Sequence, residues 1–339
     1  MDPPRQQPWI PRWRGFNLTE MVWAERSGPF LESDFDWIAE FGFDFVRLPL
    51  SYWCWSDPQS PEQVDERRLG WVDQAIEFGR RYSLHVSLNL HRIPGYCVNG
   101  RELESFDLFA GPAEEQARAL YWAAWHWQLL ADRYREISSD RLSFDLVNEP
   151  PFMATDARYV QVVRRLVGAI RDKSPDRLIV VDGVDIGQTP VPSIVDLGVV
   201  QSTRGYLPKA LTHYTATWVP QDEFESCRLP TWPLVDDGGS VWDRDRLRQE
   251  LIDKWLPLVE LGVPIHVGEW GSYKHTPHDV ALAWMHDVLT LWQEAGWGWA
   301  MWNFRGDFGV LDSGRSDVGY EDFRGHQLDR KMLELLRQH

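Results

Sequence analysis

Eight short runs rich in β-branched and aromatic residues punctuate this chain, and longer amphipathic stretches separate most of them. No other feature restricts the possible folds as much. The runs lie at Trp13–Leu18, Asp44–Pro49, Leu84–His91, Leu142–Glu149, Leu178–Asp182, Ala210–Thr215, Ile265–Trp270 and Trp297–Asn303. Several are almost continuously hydrophobic, as parallel strands covered by helices must be. The intervening segments carry helical spacing. Asp65–Tyr82 sets Leu69, Val72, Ile76 and Phe78 among charges, and Thr155–Lys173 repeats Val160, Val163, Leu166, Val167 and Ile170. Pro112–Ile137 opens on Pro-Ala-Glu-Glu, a helix start. Asp243–Leu261, Thr276–Ala295 and Asp329–Arg337 complete the set.

Strand–helix alternation builds right-handed βαβ units. Eight of them in 339 residues predict an α/β fold, a closed (β/α)8 TIM barrel. The expected organisation is a single domain, residues 1–339, with no appended binding module. An open doubly wound sheet needs a nucleotide-type glycine turn after its first strand, and Gly15-Phe16-Asn17-Leu18 is not one. Two long Gly- and Pro-rich loops, Ile93–Pro112 and Trp218–Val241, are expected to work at the active-site face.

Charge narrows the partners. Asp and Glu number 51 against 35 Lys and Arg, a net charge of −16. Such a surface repels phosphate backbones and anionic lipid, so nucleic acid and membrane are excluded as expected partners and a neutral ligand is favoured. Cys54, Cys97 and Cys227 are too few and scattered for a disulfide framework. The N-terminal MDPPRQQPWIPRWRG lacks the apolar stretch of a secretory signal. The expectation is a cytoplasmic protein, or a secreted one if a leader was removed.

The polar residues at the C-terminal ends of the strands carry the chemistry, because barrel active sites form there. Arg47, His91, Asn148-Glu149, His213, Glu269 and Trp302-Asn303 all occupy such ends. A carboxylate closing a buried strand is costly unless it is paired or at work. Glu149 or Glu269 alone reads equally well as a structural ion-pair member. Both together, with Arg47, two histidines and Trp302, suit glycoside hydrolysis, in which one carboxyl protonates the leaving oxygen and the other attacks or activates water.

The ordered series Arg47, His91, Asn148-Glu149-Pro150, His213, Glu269, Trp302 resembles glycoside hydrolase family 5, the cellulase family of retaining barrel glycosidases. The resemblance spans nearly the whole chain. It implies Glu149 as acid/base, Glu269 as nucleophile and Asn148 on the sugar 2-hydroxyl. It further implies Arg47 supporting the nucleophile's charge, His91 and His213 lining the cleavage subsite, and Trp302 as the stacking floor. One departure stands out. The family pattern has Tyr two residues after the sixth-strand His, bonded to the nucleophile, whereas this sequence reads His213-Tyr214-Thr215. Alternation sends Tyr214 to the other face unless a bulge re-aims it, so the group that orients Glu269 stays open.

Other residues have two readings each. Trp23, Trp53, Trp55, Trp218 and Trp232 fall in predicted βα loops and either stack on outer sugars or pack the loops. Arg204 and Tyr206 lie ahead of the sixth run and are expected in a solvated loop. Trp297 and Trp299 are expected in the core, and Asp145 and Asp182 as structural hydrogen-bond partners. No metal and no cofactor is expected. His275 and His278 form an isolated HxxH interrupted by Pro277, and HExxH, GxSxG and phosphate-loop motifs are absent from the sequence. The resemblance makes an endo-β-1,4-glucanase acting on β-1,4-glucan or its oligosaccharides the first expectation. A β-mannanase or β-mannosidase, a mixed-linkage glucanase and an exo-acting β-glucosidase stand as alternatives. A non-catalytic carbohydrate-binding barrel is the reading from a different class.

Overall fold

Strands whose two faces are both covered pair in parallel, and hydrophobic runs such as FDFVRLP and VSLNLHR have that character. The computed structural model describes residues 5–153, 155–219, 229–235 and 238–339. Its barrel strands are β1 (Arg14–Asn17), β2 (Phe45–Ser51), β3 (His85–Ile93), β4 (Leu142–Asp145), β5 (Leu178–Asp182), β6 (Val200–Gly205), β7 (Ile265–Trp270) and β8 (Gly298–Met301). Each pairs in parallel with the next, and β8 returns to β1 with Trp299 opposite Arg14, closing the cylinder. The chain is a single (β/α)8 barrel.

The longer helices are α1 (Glu32–Glu40), α2 (Glu66–Tyr82), α3 (Ala113–Arg133), α4 (Ala157–Arg171), α5 (Arg244–Leu251), α6 (His278–Ala295) and α7 (Arg330–Gln338). Their ends follow local chemistry. Asp65 caps α2 by accepting from the N–H groups of Arg67 and Arg68, and Ser83 ends it in the left-handed region at φ 60°. The crossover after β5 is short, a left-handed turn at Val184–Gly187 with Asp185 and Ile186 at φ 56° and 59°, followed by a 3-10 turn at Pro192–Leu197.

The sixth strand departs from expectation. Ala210–Thr215 is not a strand: Lys209–Thr212 forms a short helix after Pro208, and β6 is Val-Gln-Ser-Thr-Arg-Gly. Its inward residues, Ser202 and Arg204, are polar because they face a polar barrel interior. A search for hydrophobic runs passes over such a strand. Arg204 and Tyr206 are therefore not loop residues in solvent. Arg204 lies on β6, 1% exposed, and Tyr206 follows its last residue.

Two of the hydrophobic clusters pack against the barrel strands. The larger lies between strands and helices and includes Trp270, Trp284, Trp292 and the expected Trp297 and Trp299. The smaller plugs the N-terminal end of the barrel with Trp13, Phe45, Leu178, Val200 and Ala300. Trp13 stacks on His85 at 3.7 Å, and Phe45 lies 4.7 Å from the His266 ring. Burial drives these imidazoles toward neutrality, His85 down to about 4 and His266 down to about 3. Cys54 and Cys97 are buried free thiols, while Cys227 lies outside the described residues. Among the described residues no helix is long and apolar enough to cross a membrane.

Candidate active site

Arg47 organises the C-terminal end of the barrel. From β2 its guanidinium donates through Nε to Asp145 (2.7 Å), through Nη1 to Glu269 (2.6 Å) and Asn17 (2.9 Å), and through Nη2 to Asn148 (2.8 Å). Four strands, β1, β2, β4 and β7, are tied by one buried cation. Asp145 is thus a structural partner, as its position suggested.

Glu269 reaches the interior through a β-bulge. Along β7, simple alternation groups Glu269 with Ile265 and Val267, whereas His266 and Gly268 line the barrel interior. The register slips between Val267 and Glu269, which face Thr203 and Arg204. The extra residue is Gly268. A Cβ there would stand 2.6 Å from Ser202 Oγ and 2.7 Å from Arg204 Nη1, so only glycine fits. The bulge turns Glu269 inward to meet Arg47. Burial pushes its carboxyl pKa up, but Arg204 and Arg47 together outweigh burial and hold it below the usual value. Tyr206 donates its hydroxyl to the other carboxylate oxygen at 3.3 Å.

Glu149 sits just past β4 at φ +47°, a strained setting for a side chain of its size. Two bonds fix its peptide. Its N–H donates to Asp182 Oδ2 (2.9 Å), and Tyr96 donates its hydroxyl to its carbonyl (2.6 Å). Burial raises the Glu149 carboxyl to about 8, with the negative charge of Glu269 adding to the rise and Arg204 opposing it. One carboxyl is thus neutral and the other ionised at neutral pH. The separation has the acid/base logic of paired carboxyls in a shared site.

The two carboxyls meet at Arg204. Its Nε lies 3.3 Å from Glu149 Oε1 and its Nη2 lies 3.6 Å from Glu269 Oε1. Asp182 holds the guanidinium through both oxygens, and Asn148 Oδ1 accepts from Nη2 at 2.9 Å. Asn148 Oδ1 therefore serves two arginines, while its buried Nδ2 carries no hydrogen bond among the described residues. That amide is a donor ready for a ligand oxygen.

Aromatic residues form the walls. Trp302 stacks against His91 with ring centroids 5.6 Å apart, and His91 Nδ1 approaches Glu269 to 4.0 Å. Burial lowers His91 to about 3, so it is neutral here. Tyr206 meets His213 edge-on (5.1 Å), and Trp218 stands edge-on to Tyr273 (4.8 Å) with half of its surface exposed. The described residues contain no cluster of His, Cys, Asp and Glu suited to a metal ion.

The cellulase family, glycosyl hydrolase family 5, matches residues 4–307 by its sequence profile. The chain belongs to glycosyl hydrolase family 5. It is a glycoside hydrolase. A solved glycoside hydrolase structure aligns with a TM-score of 0.89 at 39% identity, covering 96% of this chain and 99% of that one. Endoglucanase C of Acetivibrio thermocellus is 25% identical over 337 residues, covering 92% of this chain and 94% of the relative. Cellodextrinase A of Ruminococcus flavefaciens is 28% identical over 270 residues, covering 78% and 75%.

The family pattern now falls into register with β6. His-x-Tyr maps onto Arg204-Gly205-Tyr206, not onto His213-Tyr214-Thr215. Tyr206 is the phenol on Glu269, and Arg204 stands where the pattern has histidine. His213 is off the barrel, closing the short helix, and reaches the site through its ring contacts with Tyr206 and Trp218. Tyr214 is half-buried beyond that helix, outside the group of residues around Glu269, and the Thr215 hydroxyl pairs with His275 at 2.7 Å. Sequence reasoning also passed over Tyr96, which has no motif of its own beyond its place in the long loop after β3. Trp55 is buried against His126, and Trp232 donates to Asp287 on α6, so neither faces the cleft. Trp23 and Trp53 are half-buried, the latter under the Arg92 guanidinium at 4.1 Å. The loop Trp218–Val241 lies partly outside the described residues.

Proposed function

We propose that the chain is a retaining β-glycosidase acting on β-1,4-glucan or its oligosaccharides, in the manner of an endoglucanase. One observation carries the reading: two buried carboxyls from β4 and β7 flank one guanidinium, one neutral and the other ionised. A binding barrel has no use for that split, and double displacement needs it. Glu269 attacks the anomeric carbon while Glu149 gives its proton to the departing oxygen. Water then attacks the glycosyl-enzyme, its proton passes to Glu149, and Glu269 leaves. The released sugar keeps its β configuration.

The other residues have parts in this scheme. The Asn148 amide holds the 2-hydroxyl, where hydrogen bonds strengthen in the oxocarbenium-like transition state. Arg47 and Tyr206 keep Glu269 charged and aimed, and Trp302 carries the apolar face of the reacting sugar. Trp218 offers a second platform nearer solvent. The names of the relatives, an endoglucanase and a cellodextrinase, favour β-1,4-glucan as the substrate class.

The test is product analysis on cellohexaose and mannohexaose, with the anomer followed by proton NMR. The expected result is mid-chain cleavage of cellohexaose with β product appearing first. Release of α product, or hydrolysis of mannohexaose alone, would contradict the reading.

A further inference from the structure

The geometry points to Arg204 as a positioning residue for the second half-reaction: it is the built-in counter-charge that receives Glu149 once that carboxyl has given up its proton. The inference rests on the double-displacement reading above and adds a partner for the acid/base that the family pattern lacks, because that pattern has histidine at this place.

Three observations carry it. First, Arg204 is committed to the site. Gly187 and Gly268 clear its volume: a Cβ at Gly187 would stand 2.7 Å from Arg204 Cγ, and one at Gly268 2.7 Å from Nη1. Second, its donors are unevenly used. Nη1 and Nη2 serve Asp182, Ser202, Thr203 and Asn148, whereas the buried Nε–H carries no hydrogen bond, although Glu149 Oε1 is only 3.3 Å away. At rest the two groups are close but not aligned for a hydrogen bond. Ionisation of Glu149 adds the attraction that turns the carboxylate onto this free donor and makes a charge-assisted bond. Third, the charge balance changes during turnover. Glu149 is faced by Arg204 and Tyr206 from the β6 end, Glu269 from β7, Asp182 from β5, Arg47 from β2, and Tyr96 and Cys97 from the loop after β3. Of these, Glu269 raises its proton affinity most strongly among the side chains.

In the first half-reaction the Glu269 oxygen bonds to the anomeric carbon, the glycosidic bond breaks and the Glu149 proton goes to the leaving oxygen. Glu269 is then an uncharged ester, and Arg204 loses one of the two carboxylates it served. Its charge falls to Glu149, now an anion, which stays ionised until it takes the proton of the attacking water. The bond to Glu269 breaks as the water oxygen bonds to carbon, and the resting pair is restored. A histidine rendered neutral by burial, as His91 is here, supplies no such charge.

The test uses Arg204→Gln and Arg204→Lys with 2,4-dinitrophenyl β-cellobioside, whose leaving group needs no acid, so that deglycosylation limits turnover. Arg204→Gln is expected to lower kcat by about 10²-fold, the scale of lost base catalysis. Azide needs no base, and adding it restores turnover with β-cellobiosyl azide as product. On an unactivated cellodextrin the alkaline limb of kcat/KM moves up by about one pH unit in this variant and stays in place in Arg204→Lys. Arg204→His, which restores the residue of the family pattern, replaces the Gln variant if that one does not fold. A uniform loss at every pH with no azide rescue would overturn the assignment and leave Arg204 a purely structural residue. An α-azide would instead overturn the double-displacement reading beneath it.

Discussion

The two ends of the barrel interior are equally buried and chemically opposite. At the N-terminal end the strands contribute Trp13, Phe45, Val200 and Ala300, with His85 and His266 held neutral among them. A step or two along the same strands, Arg47, Asp145, Asp182, Arg204 and Glu269 fill the interior. A cavity of about 10 Å³ separates the layers, lined by Ser87, Ser143, Ser202 and Asp145 among others, with room for about one water molecule. Burial alone thus does not define a site. The lower end uses burial to remove charge, and its return is stability. The upper end keeps charge in place by pairing it, which costs stability unless every partner is present, and its return is a carboxyl pair in two protonation states.

Substitutions at the two ends should therefore fail in different ways. The largest effect belongs to Glu269→Gln, which is expected to lower kcat on the order of 10⁵-fold or more while the fold persists, as loss of a nucleophile does elsewhere. Circular dichroism and steady-state kinetics check it together. Glu149→Gln comes next, with a loss in kcat/KM of about 10²–10⁴-fold on cellodextrins and a far smaller one in kcat/KM on dinitrophenyl substrates, whose kcat still falls by about 10²-fold or more because the base of the second step is gone. The same variant should be more stable than the parent at pH 8. The folded-state pKa of Glu149 lies above its unfolded value, so the stability it contributes is complete below about 4.5 and falls as pH rises toward about 8. Replacing it with a neutral amide should restore about 1–2 kcal/mol, read as a rise in Tm at pH 8 that shrinks at pH 4. At the lower end the pattern inverts. Phe45→Ala is expected to cost about 3–5 kcal/mol in denaturant unfolding and to leave kcat/KM of the folded enzyme nearly unchanged.

Smaller effects refine the upper end. Tyr206→Phe removes a hydrogen bond to a charged oxygen, a loss of about 1.5–3 kcal/mol that should appear in kcat more than in KM. The pH profile of kcat/KM should be a bell. It falls on the acid side below 4.5 as Glu269 is protonated, and on the alkaline side near pH 8 as Glu149 loses its proton. Trp218→Ala should change KM only a few-fold, since an edge-packed, half-exposed ring adds about 0.5–1.5 kcal/mol.

The barrel was legible because most of its strands announce themselves as apolar runs and its helices as amphipathic repeats. The two buried carboxyls, Glu149 and Glu269, were legible for the same reason, being charges at the ends of such runs. β6 was not, because after Val200 its inward residues are Ser202 and Arg204 and its hydrophobic content is low. That single misplacement hid Arg204 and Tyr206, which with Arg47 lie against the Glu269 carboxylate. It also made Thr215 look like a departure from the family pattern, when the departure is Arg204. The bulge at Gly268 was equally hidden, since alternation alone turns Glu269 toward the helices. Register, unlike pattern, is fixed by contacts between strands, and one strand's sequence does not contain them.

The central claim is that Glu269 becomes covalently bonded to the sugar while Glu149 handles the proton. Incubation with 2,4-dinitrophenyl 2-deoxy-2-fluoro-β-cellobioside, followed by peptide mass spectrometry, tests it directly. The account predicts one equivalent of fluoro-cellobiosyl adduct on the peptide containing Glu269, with turnover lost in step. Rapid hydrolysis of that reagent without any adduct, or an adduct on Glu149 or another residue, would contradict it.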